Sequence, residues 1–237
     1  MVQEYEKYSD EDHKVWSILF ERQWTNLQDK ACKAYLEGVR DIGFSGDRIP
    51  DFKEVNLRLT HRHGWGIEVV PGIIAAADFF KLLGERKFCS STWLRSMESL
   101  DYLEEPDMFH DSFGHLPMLM DSDFSAFALQ LAAMAKKFPS EESILRLQRI
   151  YWYTIEFGLV REDKELKAYG AGICSSSGET EYSLSGKPSY LEFDIRRIME
   201  TPFYTDHIQD KYFVLPSISE LNGSLKGVED ILQCLQE

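Results

Sequence analysis

The chain has 237 residues, 43% of them apolar and 13% aromatic, enough to bury one large core or two small ones. Its net charge of −14 disfavours nucleic acid and anionic membranes as partners, and no apolar run approaches the ~20 residues that span a bilayer. The acidic start, MVQEYEKYSDEDHK, does not read as a secretory signal, and four scattered cysteines without a CxxC pair suit a reducing cytoplasm better than a disulfide or zinc framework.

In chain order, Ser9 with Asp12 forms an N-terminal capping pattern. Trp16, Phe20, Trp24, Leu27, Ala31, Tyr35 and Val39 then recur at three- and four-residue steps, which predicts one long amphipathic helix closing near Gly43. Asp51 caps a second helix carrying Phe52, Val55, Leu57 and Leu59. WGIEVVPG (65–72) reads as a strand, AAADFFKLLGER as a helix stopped by Gly84, and KFCSSTWL as another strand. EEPDMFHDSFGH is expected to be a short helix with Pro106 near its first turn. Ser122 is expected to cap FSAFALQLAAMAKK, and Ser140 to cap a helix through ILRLQRIYWYTIEFG. Residues 165–190 read as irregular apart from a small strand near KAYG. Helical pieces are expected at 191–200 and 217–235, with YFVL as a strand between them. The sum is a mostly α chain with a few short strands, expected to be a single domain over 1–237, without the strand–helix alternation of a doubly wound sheet.

The stretch FHDSFGHLPM holds two of the six histidines, His110 and His115, five residues apart. On an ideal α-helix that spacing separates two side chains by ~140°, so the imidazoles converge only if the helix changes course between them. Gly114 permits a left-handed ending and Pro117 forbids continuation, which predicts a helix that stops between the two rings. The pair could equally be hydrogen-bonded core histidines. One further residue bears on the choice. Glu156 is a lone carboxylate among Tyr151, Trp152, Tyr153, Ile155 and Phe157, and burying it is expensive unless a cation or partner compensates. That partner could be Arg146 or Arg149. It could also be a metal, since two imidazoles and one carboxylate form the facial triad of non-haem Fe(II) enzymes, and two histidines with a glutamate also suit catalytic zinc.

EPDMFHDSFGHLP, YWYTIEFGL and KAYGAGICSSSGE resemble segments of the pterin-dependent aromatic amino acid hydroxylases, nearest their bacterial phenylalanine 4-hydroxylase branch, with similarity clearest over 65–217. The resemblance implies that His110, His115 and Glu156 hold Fe(II). It implies that Gly72, Ile73, Ile74, Ala76, Phe79, Asp111 and Tyr151 meet a tetrahydropterin, with Phe79 stacked on its ring. It further implies that Arg95 pairs with the carboxylate of the amino acid substrate. Leu103, Glu105, Pro106, Trp152, Phe157, Gly172, Ser175 and Glu179 would line the substrate site, and Gly170 and Gly172 would free a loop that closes over it. His61 and His63, in THRHGW, match no motif of the family and read as exposed.

The implied reaction inserts one atom of O2 into the ring of a free aromatic amino acid, phenylalanine foremost, and leaves the other on the pterin. Tryptophan or tyrosine could take the place of phenylalanine. No general base is expected among the residues at the metal. Two departures from the animal enzymes stand out: Asp111 replaces a glutamate, and Leu103-Glu104 replaces Thr-Pro. No regulatory domain or tetramerising coiled coil is expected, and a monomer is expected in preference to a dimer. A zinc hydrolase is the competing enzyme class, weakened by the absence of HExxH. A binding module without catalysis is the other competitor, weakened by the intact carboxylate.

Overall fold

The computed structural model describes residues 1–235 except Tyr102, Glu104 and Asp206. The fold is mostly helical, as expected, with short strands in two small sheets. Helix α1 (Asp10–Leu27) opens on the predicted capping box, in which the Ser9 and Asp12 side chains and backbones satisfy each other. The long helix predicted to follow is two helices. The chain turns after Leu27, the Cys32 N–H donates to Ala168 O at 2.9 Å, and the Ala168 N–H donates to Lys30 O at 2.8 Å. α2 (Lys33–Ile42) then starts afresh and ends at Gly43, whose φ of 74° is left-handed. The apolar spacing survives the break because Tyr35 and Val39 bury against a different neighbour, the 116–120 segment.

α3 (Phe52–His63) is capped by Asp51, whose carboxylate accepts from the Lys53 N–H at 2.8 Å. β1 (Gly66–Val69), α4 (Ala76–Gly84) and β2 (Lys87–Ser90) make a parallel pair with a helical crossover, in register from Gly66 opposite Lys87 to Val69 opposite Ser90. α5 (Ser122–Lys137) is capped by Asp121 rather than Ser122, with Asp121 Oδ1 accepting from Asp123 N at 3.0 Å and Phe124 N at 2.9 Å. A carboxylate one residue earlier reaches two orphan amides at once. α6 (Glu141–Tyr151) is capped by Ser140 as predicted.

The helix expected to run on through Phe157 changes character after Tyr151. Residues Trp152–Glu156 form a π turn, in which Phe157 N–H donates to Trp152 O at 2.8 Å. β3 (Leu159–Glu162) follows, missed in the sequence because Leu159 and Val160 continue the apolar run of the helix. β3 and β4 (Glu165–Ala168) form an antiparallel hairpin.

Residues 165–190 are mostly regular, contrary to expectation. α7 (Ala171–Cys174) and α8 (Ser177–Ser183) follow β4, and β5 begins at Ser189. Gly170 and Gly172 do not loosen a loop. A Cβ at Gly170 would lie 2.4 Å from Glu156 O, and one at Gly172 would lie 2.7 Å from Phe157 Cζ. These glycines let α7 press onto the turn that carries Glu156. β5 (Ser189–Glu192), α9 (Ile195–Glu200) and β6 (Lys211–Leu215) complete the larger sheet, ordered β4-β3-β6-β5 with β6 parallel to both neighbours. α10 (Glu220–Ser224) and α11 (Val228–Cys234) end the described chain.

One contiguous apolar core joins these elements. Its centre is aromatic: Phe109 stacks on Phe113 with ring centroids 4.8 Å apart, and Trp16 meets Phe109 edge-on at 5.3 Å. The Tyr35 hydroxyl donates to Phe113 O at 2.6 Å. The core therefore grips the histidine segment from behind. α2 approaches that segment so closely that a Cβ on Gly38 would stand 2.1 Å from Pro117 O.

Gly38→Ala is expected to cost about 2–3 kcal/mol, because backbone meets backbone there. Gly72→Ala, with nothing within 4 Å of the added carbon, is expected to stay within about 0.5 kcal/mol of the parent. Urea unfolding midpoints compare the two.

Candidate metal centre

His110 and His115 stand at the two ends of a π turn, His110–His115. This differs from the expected helix stop. Gly114 is not left-handed, and the chain does not end between the rings. An i→i+5 pattern stacks residues five apart, as i→i+4 stacks residues in an α-helix, so the spacing that fails on an α-helix succeeds here. The ring centroids lie 4.9 Å apart. Gly114 serves close approach, since a Cβ there would sit 3.0 Å from Ala171 O. Pro117 stands in the first turn of the 3-10 segment Leu116–Met120 that follows.

Glu156 comes from the end of the second π turn. His115 Nε2 lies 3.0 Å from its Oε1, His110 Nε2 lies 3.7 Å from its Oε2, and the two imidazole Nε2 atoms are 3.2 Å apart. The three side chains are therefore close enough together to share one metal ion. Among the described residues this is the group of acidic, histidine and cysteine ligands placed to share an ion. Neither arginine considered as a partner for Glu156 is there. Arg146 pairs with Glu142 and Glu200, and Arg149 donates to Met199 O at 2.8 Å.

The surroundings fix the protonation that a metal needs. The Ser175 hydroxyl donates to Ala171 O at 2.8 Å, so it accepts from His110 Nδ1–H at 2.9 Å. That leaves His110 Nε2 with a bare lone pair facing Glu156. Burial lowers the His110 pKa to about 4, against the opposing pull of Glu156. Burial would raise Glu156, but His115, His110 and the Tyr151 hydroxyl outweigh it and hold the carboxyl at about 2. At neutral pH His110 is therefore a neutral imidazole and Glu156 a carboxylate, each ready to bind a cation. The His115 ring lies against Phe88, with centroids 4.5 Å apart, and near Tyr151 at 6.3 Å.

Asp107, which sequence reasoning missed, ties this centre to Arg95. Its carboxylate accepts from Arg95 Nε at 2.8 Å, Arg95 Nη2 at 3.0 Å and Arg95 N at 3.1 Å. It also accepts from the His110 N–H at 3.1 Å. Asp107 is fully buried and the Arg95 side chain is 9% exposed. The signal was present as an aspartate three residues before His110, the spacing of a helix N-cap. Phe88 gave no comparable signal.

On one side of the centre, Phe79 meets Tyr151 edge-on at 5.1 Å. The stretch Gly72, Ile73, Ile74 and Ala76 leads into α4, whose first turn has no side-chain cap, and Ile73 is 71% exposed. Asp111 points back to the residue after β2, where its carboxylate accepts from Ser91 N–H at 2.8 Å, and burial lifts its pKa to about 7. Cys89 lies nearby, and burial pushes its thiol up to about 12.

On the other side, Trp152 packs on Phe157 at 4.7 Å and stacks on Phe203 at 4.6 Å. Glu179 accepts from the Tyr212 hydroxyl at 2.7 Å, and burial raises its pKa. Leu103 and Pro106 are half-buried on the approach to Asp107, whereas Glu105 is exposed; Glu104 lies outside the described residues. His61 is exposed as expected, but His63 is half-buried and donates to Met120 O at 2.9 Å.

A helical scaffold that brings two histidines and one carboxylate within reach of one ion has the donor set of a mononuclear metal centre, the set that non-haem iron enzymes use. The model for biopterin-dependent aromatic amino acid hydroxylases matches residues 4–233, and the chain belongs to that family. It is 43% identical to the phenylalanine-4-hydroxylase of Vibrio cholerae over 216 residues, covering 90% of this chain and 74% of that one. It is 40% identical to the Pseudomonas aeruginosa enzyme over 230 residues, covering 97% and 87%. The crystal structure of Chromobacterium violaceum phenylalanine hydroxylase with bound Fe(III) superposes with a TM-score of 0.95 at 38% identity, covering 99% of this chain and 86% of that one. A further structure of that enzyme holds iron(III) and 7,8-dihydrobiopterin, with a TM-score of 0.93.

Removing the Ser175 hydroxyl while leaving the ligands in place is expected to weaken Fe(II) or Co(II) binding about 10- to 100-fold in Ser175→Ala, and His110→Ala to abolish stoichiometric binding. Calorimetric metal titration reads both. Asp107→Ala, which strands a buried guanidinium, is expected to lower stability by about 3–5 kcal/mol in chemical denaturation.

Proposed function

We propose that this chain converts L-phenylalanine to L-tyrosine, using Fe(II), a tetrahydropterin and O2. The observation that carries the reading is the convergence of His110, His115 and Glu156 within reach of one shared cation, in a chain that belongs to a pterin-dependent family. Bound there, iron would supply the redox chemistry that lets O2 react with the pterin and the aromatic ring.

The protein's own share is holding, orienting and drying. The uncapped first turn of α4 and the preceding residues Gly72, Ile73, Ile74 and Ala76 offer backbone donors to a flat heterocycle. Phe79 and Tyr151 offer it an aromatic wall, with Asp111 at its edge. Arg95 is the guanidinium for the amino acid carboxylate. With Nε and one Nη2 N–H fixed on Asp107, the donors left to be redirected are the second Nη2 N–H and Nη1, now 3.4 Å from Leu100 O. Trp152 and Phe157 wall the ring of the substrate, with Leu103, Pro106 and Gly172 around it. Ser175 steadies His110, and Glu179 braces the far wall through Tyr212. Glu105, exposed at the rim, is assigned the entrance. In this reading no protein group acts as a general base, and catalysis rests on orientation.

The chain acts in this proposal as a single catalytic domain and a monomer. A cytoplasmic setting suits its four free cysteines. Among the described residues no helix is long and apolar enough to cross a membrane.

Offered phenylalanine, tyrosine and tryptophan in competition with Fe(II), a tetrahydropterin and air, the protein is expected to yield tyrosine from phenylalanine as the dominant product by chromatography. Glu156→Ala is expected to lower kcat at least about 10³-fold. A dominant product from tryptophan would move the assignment to a different substrate. Pterin and oxygen left unconsumed with all three would remove it.

A further inference from the structure

The segment from Tyr204 to Asp210 is exposed at every described residue but one. The exception is Gln209, a polar side chain only 6% exposed. Its amide is almost fully used. Gln209 Oε1 accepts from Trp152 Nε1–H at 3.0 Å, and Nε2 donates to Tyr204 O at 3.0 Å and to His207 O at 3.1 Å. A buried primary amide has one acceptor oxygen and two N–H groups, and here all of them are engaged. Its main chain is involved as well, for the Gln209 N–H supports the Glu179 carboxylate, which Tyr212 also holds.

Trp152 is the residue through which this matters. Its indole N–H goes to Gln209. One ring face stacks on Phe203 at 4.6 Å with a 21° interplanar angle, and the ring packs on Phe157 at 4.7 Å. Its carbonyl closes the π turn that ends in Glu156, by accepting from the Phe157 N–H. One side chain is thus bound at its polar tip by Gln209 and, through its backbone, to the metal-bearing turn. An indole with a fixed N–H can hold only one ring orientation, whereas two stacking contacts alone would let it slide or flip.

We propose that Gln209 is a positioning residue for the aromatic substrate: it locks the Trp152 indole, and with it the Phe203 ring stacked on it, into the wall against which the substrate ring lies. The inference rests on the reading of Trp152 as substrate wall given above. Gln209 touches neither metal nor substrate. It sets how well the ring is oriented, and so how much of the oxidising power generated at the centre ends in product rather than in idle pterin oxidation.

The test uses the full-length, iron-loaded protein. Gln209→Met keeps the length of the side chain and removes its hydrogen bonds. It is expected to raise KM and the directly measured Kd for L-phenylalanine about tenfold. It is also expected to at least halve the tyrosine formed per tetrahydropterin consumed, with Fe(II) affinity unchanged. Trp152→Phe, which has no indole N–H, is expected to make the further change Gln209→Met nearly silent. Tyr153→Phe is the control, because Tyr153 anchors the same segment through Pro202 O at 2.7 Å without touching the indole. It is expected to lower Tm and leave KM and coupling in place. If Gln209→Met changes only Tm, or acts as strongly in the Trp152→Phe background as in the parent, the positioning role is overturned. If the unmodified protein makes no tyrosine, it is the functional assignment that fails, and Kd with the double-variant comparison still judges Gln209.

Discussion

Every ligand of the metal centre comes from a stretch of helix wound one residue too wide. Both His110–His115 and Trp152–Glu156 are π turns. Such turns are unfavourable on their own and persist where tertiary structure compensates. The compensation is visible on both. The first is held by the Tyr35 hydroxyl on Phe113 O and by an aromatic stack behind Phe109 and Phe113. The second is pressed by α7, which two closely fitted glycines, Gly170 and Gly172, allow to lie against it. The wide winding turns a five-residue spacing into convergence, and the core exists in part to enforce it.

Asp107 extends the same logic from metal to substrate side. One buried carboxylate satisfies the guanidinium of Arg95, the Arg95 backbone and the amide of the first histidine. A shift of Arg95 is therefore felt at His110, and the reverse, because both hang on a single fully desolvated group. On the opposite wall Gln209 plays a comparable part for Trp152. In each case a polar residue outside the reacting groups converts a flexible side chain into a fixed one.

Much of this was legible in the residues, and the failures have physical causes. Caps at Ser9, Asp51 and Ser140 could be read directly, because a short side chain beside an orphan amide has few other uses. A carboxylate stranded among aromatics and two histidines in an unusual spacing marked the candidate ligands, and the resemblance to the hydroxylases joined them into one set. The route by which the histidines meet was misread, because Gly114 and Pro117 carry the same letters whether they stop a helix or permit close packing. The break between α1 and α2 escaped because an apolar stripe does not record which neighbour buries it. The short helices after β4 escaped for a related reason. Gly and Ser are weaker formers of helix than most residues, and the order of these short pieces comes from contact with the Glu156 turn. Asp107 and Gln209 owe their importance to partners far off in sequence or hidden by the fold.

Cys89 shows what such enclosure does for durability. Its sulfur sits in β2 and feels the charge of Asp111, and burial pushes its pKa up to about 12, so at neutral pH it stays a thiol rather than the thiolate that oxidants attack. A chemistry that handles oxygen at close range endangers the catalyst's own sulfur. Here burial keeps that sulfur in its protonated, weakly nucleophilic form.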